Sequence, residues 1–153
     1  MARHLLSQAN VAGVNTLVLD PSRQTWDADY QTADADEFVR VVFDNTQCLV
    51  IIDETREALG KNFSRETAHR LTLATRSRHR GHTVFFIAQR PTFVNADIRG
   101  QCSQAFIFRP HYKYDRHIYQ EMFGDDVDQI YSITPGSCLH FKPGAEAQTV
   151  KIL

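Results

Sequence analysis

The 153-residue chain is short of several features that would assign it to a class at once. It has no apolar run approaching the ~20 residues that a bilayer-crossing helix needs, so no segment reads as a membrane span. Its first residues, MARHLLSQANVAG, lack the long apolar core of a secretory signal. Its three cysteines, Cys48, Cys102 and Cys138, are odd in number and share no ligand spacing. That speaks against a disulfide framework and a zinc site, and for reduced thiols in a cytoplasmic protein. The seven histidines are scattered, and the pairs His79/His82 and His111/His117 are completed by no cysteine or carboxylate pattern, so solvated loop histidines are expected. No repeat, low-complexity tract or linker interrupts the chain, which is read as a single domain spanning 1–153.

What is present centres on Gln47–Glu54, QCLVIIDE. Apolar residues from Cys48 to Ile52 run directly into Asp53 and Glu54. A β-branched run of this kind suits a strand buried on both faces of a parallel sheet. In open α/β sheets, ligands sit outside the carboxyl ends of the strands. An acid at that edge can hold magnesium through water, and a second beside it can orient or deprotonate an attacking water. The bland alternative is a buried strand leading into a helix cap.

The net charge of −1 hides a pattern. Residues 1–60 hold four Lys/Arg against ten Asp/Glu, residues 61–119 eleven against three, and residues 120–153 two against five. The basic middle block can contact phosphate, of nucleic acid or of nucleotide, and Arg65, Arg70 and Arg76 are its candidate nucleic-acid contacts. A solvated helix face accounts for any one of these arginines equally well.

Periodicity predicts helices over Met1–Ala12, Asp36–Phe43, Ser64–His79, Asn95–Gln101 and from Asp115 to Gly124, with Ser64 and Asp115 as caps. The inner face of the third is read as Ala68, Leu71, Ala74 and Thr75. Strands are predicted at Val14–Leu19, Cys48–Ile52, Val84–Ala88 and Ala105–Phe108, all parallel in one sheet. Ser22–Asp34 and Asp125–Thr134 read as loops. Ser137–Phe141 and Gln148–Leu153 read as a terminal antiparallel hairpin across Lys142–Glu146. The fold class is therefore α/β, a mostly parallel sheet flanked by helices with a C-terminal antiparallel hairpin.

A second motif, Ser77–Pro91, is an Arg-rich segment ending in Gly81, then an apolar strand ending in Gln89-Arg90-Pro91. Gln89 would share the sheet edge with Asp53. Together the two motifs resemble the FtsK/HerA group of P-loop ATPases, ring-forming motors that pump DNA, including chromosome translocases, conjugation ATPases and phage packaging or assembly ATPases. The resemblance covers roughly residues 1–110. It implies that Asp53 supports Mg2+, that Glu54 is the catalytic base, that Gln89 senses the γ-phosphate of ATP, and that Arg78 or Arg80 reaches a neighbouring subunit's site. It also implies DNA as a partner, a homo-oligomeric ring such as a hexamer, and the host cytoplasm as location where the protein is phage-encoded.

One element of that pattern is absent. No G-x-x-x-x-G-K-[ST] occurs in the chain, and such a loop supplies most of the phosphate binding in P-loop enzymes. Three explanations compete: a fragment of a longer protein, which is favoured, a misassigned start, or a non-catalytic relative that binds DNA or a partner.

Overall fold

Two strands buried end to end, β1 (Thr16–Leu19) and β3 (Leu49–Ile52), form the centre of a four-stranded parallel sheet. The computed structural model describes all residues except His111, Tyr112, Pro143 and Leu153; the side chains of Asp125 and Asp126 are also outside it. The His111/His117 pairing and part of the Lys142–Glu146 turn therefore lie outside the described residues. The chain falls into two compact units, Met1–Gln89 with Phe93–Gln101, and Arg90–Thr92 with Cys102–Leu153.

In the first unit the strand order is β2-β1-β3-β4, with β2 at Tyr30–Thr32 and β4 at Thr83–Phe86. Register pairs Leu17 with Tyr30 and with Val50, and Val50 with Val84. Apolar residues on both faces of β1 and β3 require cover on both sides. Helix α1 (Ala2–Val11) and the Trp26 loop supply it on one face, where Leu6 and Trp26 pack with Val18, Leu49 and Ile51. Helix α2 (Ala35–Asp44) packs against β1 and β2, and buries Phe38 and Val42 completely. Each such side chain contributes about 1.5–3 kcal/mol by leaving water. Asp34 caps α2 by accepting from the N–H groups of Asp36 and Glu37.

The segment read as one helix from Ser64 to His79 is instead broken. A 3-10 turn at Ala68–Leu71, a short helix α4 (Thr72–Thr75) and a second 3-10 turn at Ser77–Arg80 follow one another. Hydroxyls explain the break: Ser64 and Thr67 bond each other, and the Thr72 and Thr75 hydroxyls donate to the carbonyls of His69 and Leu71. Such local bonds compete with a regular helix. The inner face shifts with the break, so Leu73 is the fully buried residue while Thr75 is exposed. Gly81 ends the segment with φ +75°, where an added Cβ would press on the Gln47 side chain at 3.1 Å. The remaining helices of this unit are α3 (Thr55–Leu59) and α5 (Ala96–Gln101).

His82 is a structural residue. Its Nδ1 accepts from the Cys48 N–H at 3.1 Å, and its Nε2 donates to the Val42 carbonyl at 2.9 Å. These bonds require the neutral ring, and burial holds its pKa below the ordinary histidine value.

The second unit corrects the expectation that Ala105–Phe108 joins the parallel sheet. Strand β5 (Ala105–Ile107) pairs antiparallel with β6 (Ser137–Phe141), which pairs antiparallel with β7 (Gln148–Lys151). The expected hairpin is thus the outer part of a three-stranded sheet. A short apolar strand carries no mark of which partner it takes, and β6 offers Leu139 and Phe141 opposite Ile107 and Ala105. Pro135 and Gly136, the latter at φ +80°, form the turn into β6, closed by a Ser137 N–H bond to the Thr134 carbonyl. The stretch read as an acidic loop, Asp125–Thr134, is a 3-10 segment over Gly124–Ser132. It follows helix α6 (Arg116–Phe123) and buries Val127 and Ile130 against Tyr119, Leu139 and Phe141. Asp115, expected to cap α6, makes no side-chain cap bond; its oxygens accept from Arg90 Nε and Nη2 instead, each at 2.8 Å.

Candidate functional site

The carboxyl edge of the parallel sheet collects the residues that matter. Strand β3 runs past Ile52 into Asp53, whose N–H bonds the Leu19 carbonyl at 2.9 Å, continuing the pairing with β1. Asp53 accepts the N–H of Glu54 at 3.0 Å through Oδ1. Burial raises the Asp53 pKa above the ordinary carboxylate value, and the charges of Asp20 and Glu54 act in the same direction.

Glu54 stands at the N-terminus of α3 with φ +43° and ψ +56°, a left-handed conformation unusual outside glycine. Thr55 fixes the turn from the other side. Its N–H and its hydroxyl both donate to the Ile87 carbonyl, at 2.9 and 2.8 Å. This ties the end of β3 to the chain leaving β4. Two residues beyond Ile87, Gln89 Nε2 donates to Glu54 Oε1 at 2.9 Å. Asp53, Glu54 and Gln89 therefore lie on one edge, as expected from the sequence.

Asp20 follows β1 directly. It is fully buried and accepts from the N–H groups of Ser22 and Gln24 and from Trp26 Nε1, at 2.7, 2.8 and 2.9 Å. It thereby anchors the loop that brings Trp26 into the core and places a further carboxylate on the same edge. The available signal was an acid directly after an apolar strand, the same pattern that marked Asp53. Strand β2 was also missed inside this loop, because its YQT sequence has no apolar alternation.

The arginines are placed differently from one another. Arg70 donates to Asp36 at 2.7 Å, and His69 shares that carboxylate at 2.9 Å. The Arg70 guanidinium holds the Asp36 carboxyl below the usual range. Arg80 donates to the Phe43 carbonyl. Arg65, Arg76 and Arg78 are exposed on the broken segment that precedes β4.

A single carboxylate at a sheet edge suits magnesium, which keeps most of its waters and takes one or two protein oxygens. Asp53 is the residue of this edge that would hold such an ion. Among the described residues no group of three potential ligands forms a closed metal site. The sequence contains no glycine-rich phosphate loop of the G-x-x-x-x-G-K-[ST] kind. Among the described residues no helix is long and apolar enough to cross a membrane.

The fold, a mostly parallel sheet with flanking helices and a three-stranded antiparallel sheet, is similar to that of solved viral genome-packaging NTPases. The genome packaging NTPase B204 of Sulfolobus turreted icosahedral virus 2, in complex with AMPPCP, superposes with a TM-score of 0.80 at 10% identity over 98% of this chain and 88% of that one. Its sulfate complex gives 0.78 at 12% identity over 98% and 87%. B204, the DNA-packaging ATPase from Sulfolobus Turreted Icosahedral Virus, gives 0.80 at 11% identity over 99% and 90%. The shared fold is clear at these scores. Residues 18–113 match the model of the zonular occludens toxin (Zot) family, and the chain belongs to that family. No curated protein matches it.

Proposed function

We propose that this domain is the motor core of an ATP-hydrolysing machine that translocates or packages DNA, of the FtsK/HerA type. The observation that carries the reading is the single edge shared by Asp53, Glu54 and Gln89, with the Gln89 amide on the Glu54 carboxylate. The packaging-NTPase fold supports it. In this reading Asp53 holds Mg2+ through water, Glu54 takes the proton of the attacking water, and Gln89 reports the γ-phosphate. Arg78 or Arg80 acts on a neighbouring subunit in a homo-oligomeric ring, and Arg65, Arg70 and Arg76 face nucleic acid, with Arg70 exchanging its Asp36 partner to do so. Bound ATP would supply the phosphoanhydride and Mg2+ would neutralise its charge; this chain's own part is to place one base and one amide beside them.

The absence of a phosphate loop from these residues favours a second reading, a non-catalytic DNA- or partner-binding module that keeps the fold. One experiment separates the two. ATPase activity is measured for residues 1–153 alone and for a chain joined upstream to a strand and a G-x-x-x-x-G-K-[ST] loop. The motor reading expects background hydrolysis from the first and magnesium-dependent hydrolysis, lost in Glu54→Gln, from the second. No hydrolysis from a folded, loop-bearing chain would leave the binding module as the function.

A further inference from the structure

We infer that Arg70 and His69 form a phosphodiester-binding position, and that the Asp36 carboxylate is its internal occupant, which a nucleic-acid phosphate displaces. The inference deepens the reading of the basic segment given above and rests on it for the identity of the ligand. Every residue it uses belongs to the first unit. Asp36 Oδ1 accepts from Arg70 Nε at 2.7 Å and lies 2.9 Å from His69 Nε2. One carboxylate oxygen on α2 thus serves two side chains that stand 33 and 34 residues further along the chain.

The basic segment is laid along α2 and fastened at both ends of that helix. Asp36, in the first turn, takes His69 and Arg70, and Arg80 donates to the Phe43 carbonyl near the last residue, Asp44. Both 3-10 turns and α4 touch α2 between these points. Arg70 and Arg80 are thereby turned inward, whereas Arg65, Arg76 and Arg78 are exposed. The backbone under Arg70 does not depend on Asp36. The N–H of Arg70 bonds the Thr67 carbonyl at 3.0 Å, the N–H of Thr67 bonds the Ser64 carbonyl at 3.2 Å, and the Ser64 N–H bonds the Thr67 hydroxyl at 2.9 Å. His69 Nδ1 lies 2.9 Å from the Glu66 carbonyl. The position is therefore built by its own turn, and Asp36 only fills it.

The filling is loose. A carboxylate and a phosphodiester each spread one negative charge over two oxygens and compete for the same guanidinium donors. Asp36 meets Arg70 at one oxygen and through Nε alone, and its side chain is 52% exposed. Exposed single-point pairs of this kind hold weakly. A phosphodiester can take Nε and Nη side by side, the planar match for which arginine is suited. The exchange returns the carboxylate to water and adds one phosphate contact with its counterion release. Asp36 thus sets whether Arg70 counts towards nucleic-acid affinity.

The test measures binding of the whole chain to a short fluorescein-labelled DNA duplex of mixed sequence over a range of salt concentrations. Asp36→Asn keeps the shape and removes the charge. It should tighten binding roughly 3–10-fold at low salt, and steepen the fall of log affinity with log salt by about 0.9, the value of one further phosphate neutralised. In the double variant Asp36→Asn with Arg70→Gln the gain must vanish, which separates a freed cation from a general loss of repulsion. Glu37→Gln, the same charge change one residue along α2, must leave the slope unchanged. In the 15N-labelled wild-type chain the Arg70 Nε–H signal, identified by its loss in Arg70→Gln, must move as duplex is added; this decides alone if Asp36→Asn does not fold. A folded Asp36→Asn chain that binds duplex no better than wild type overturns the inference. So does a gain that survives Arg70→Gln, an equal slope change in Glu37→Gln, or an Arg70 signal that saturating duplex leaves in place. Arg65→Ala, Arg76→Ala and Arg78→Ala test the wider reading separately. If they bind as wild type while Asp36→Asn gains through Arg70, the wider reading falls and the inference stands. If they weaken binding while Asp36→Asn gains nothing, the inference falls and the wider reading stands.

Discussion

Gln89 Nε2 and Glu54 Oε1 meet at 2.9 Å, joining the chain just beyond two neighbouring parallel strands. Glu54 holds its place with a left-handed backbone that glycine would adopt freely. Such a conformation costs about 1 kcal/mol or somewhat more in a non-glycine residue. Glu54→Gly is therefore expected to raise the unfolding free energy by ~1 kcal/mol relative to Glu54→Ala in urea titration. Equal stability of the two variants would show that the turn stores no strain.

Glu54→Gln tests the chemistry. In a chain that carries a phosphate loop, it should abolish ATP turnover and leave nucleotide binding intact, because the base is lost and the shape kept. Arg78→Ala or Arg80→Ala should slow turnover only in the assembled oligomer, by up to ~10³–10⁵-fold if the guanidinium reaches transition-state charge. Mixing with wild-type subunits should restore part of the rate. Unaltered turnover in both arginine variants would remove the trans role from this segment.

Asp53 links function to acid–base behaviour. Burial raises its folded pKa above the unfolded value. The ionised form is therefore disfavoured by folding, and the contribution to stability is present at low pH and lost as pH rises through the folded pKa. At neutral pH, Asp53→Asn should melt above wild type, and the difference should vanish below about pH 4, where the unfolded carboxyl is protonated. A melting temperature that falls at pH 7 would mean that the charge is stabilising where it stands.

His82 gives the opposite pH signature. Its pKa is depressed by burial, so its contribution is present above the unfolded value of about 6.5 and is lost as pH falls through the folded pKa. Thermal stability should decline on acidification below that point. His82→Ala should remove this dependence and cost ~2–3 kcal/mol, since it orphans the buried Cys48 N–H and the Val42 carbonyl. Identical pH profiles for variant and wild type would assign the decline to another group.

The arginines on the broken segment carry the DNA prediction. Arg65, Arg76 and Arg78 are exposed. If they meet a nucleic-acid backbone, log affinity should fall with log salt by about 0.9 for each phosphate neutralised, and each Arg→Ala change should flatten the slope by about that amount. Arg70→Ala should do less in binding and more in stability, since Arg70 is engaged by Asp36. Affinity that ignores salt would leave the segment as ordinary solvated surface.

The sequence by itself determined the local elements and the sheet edge. The apolar run Cys48–Ile52 specified a doubly covered strand because burial on both faces admits no alternation. Asp53 and Glu54 followed it, so their place on the carboxyl edge was settled once the strand was, and Gln89 came to the same edge because β4 runs parallel to β3. The Pro135-Gly136 turn was equally local. Tertiary structure decided everything that depends on a partner distant in sequence. Whether Ala105–Ile107 pairs with the parallel sheet or with Ser137–Phe141, whether Arg70 faces solvent or Asp36, and whether Asp115 caps its helix or binds Arg90 turn on generic backbone ladders and on charges dozens of residues apart. A backbone hydrogen bond has the same chemistry in every strand, so no residue pattern announces its partner. The Gln89–Glu54 contact belongs to both sides: composition placed an amide and a carboxylate at one edge, and only the packing of β3 against β4 brought them within a hydrogen bond.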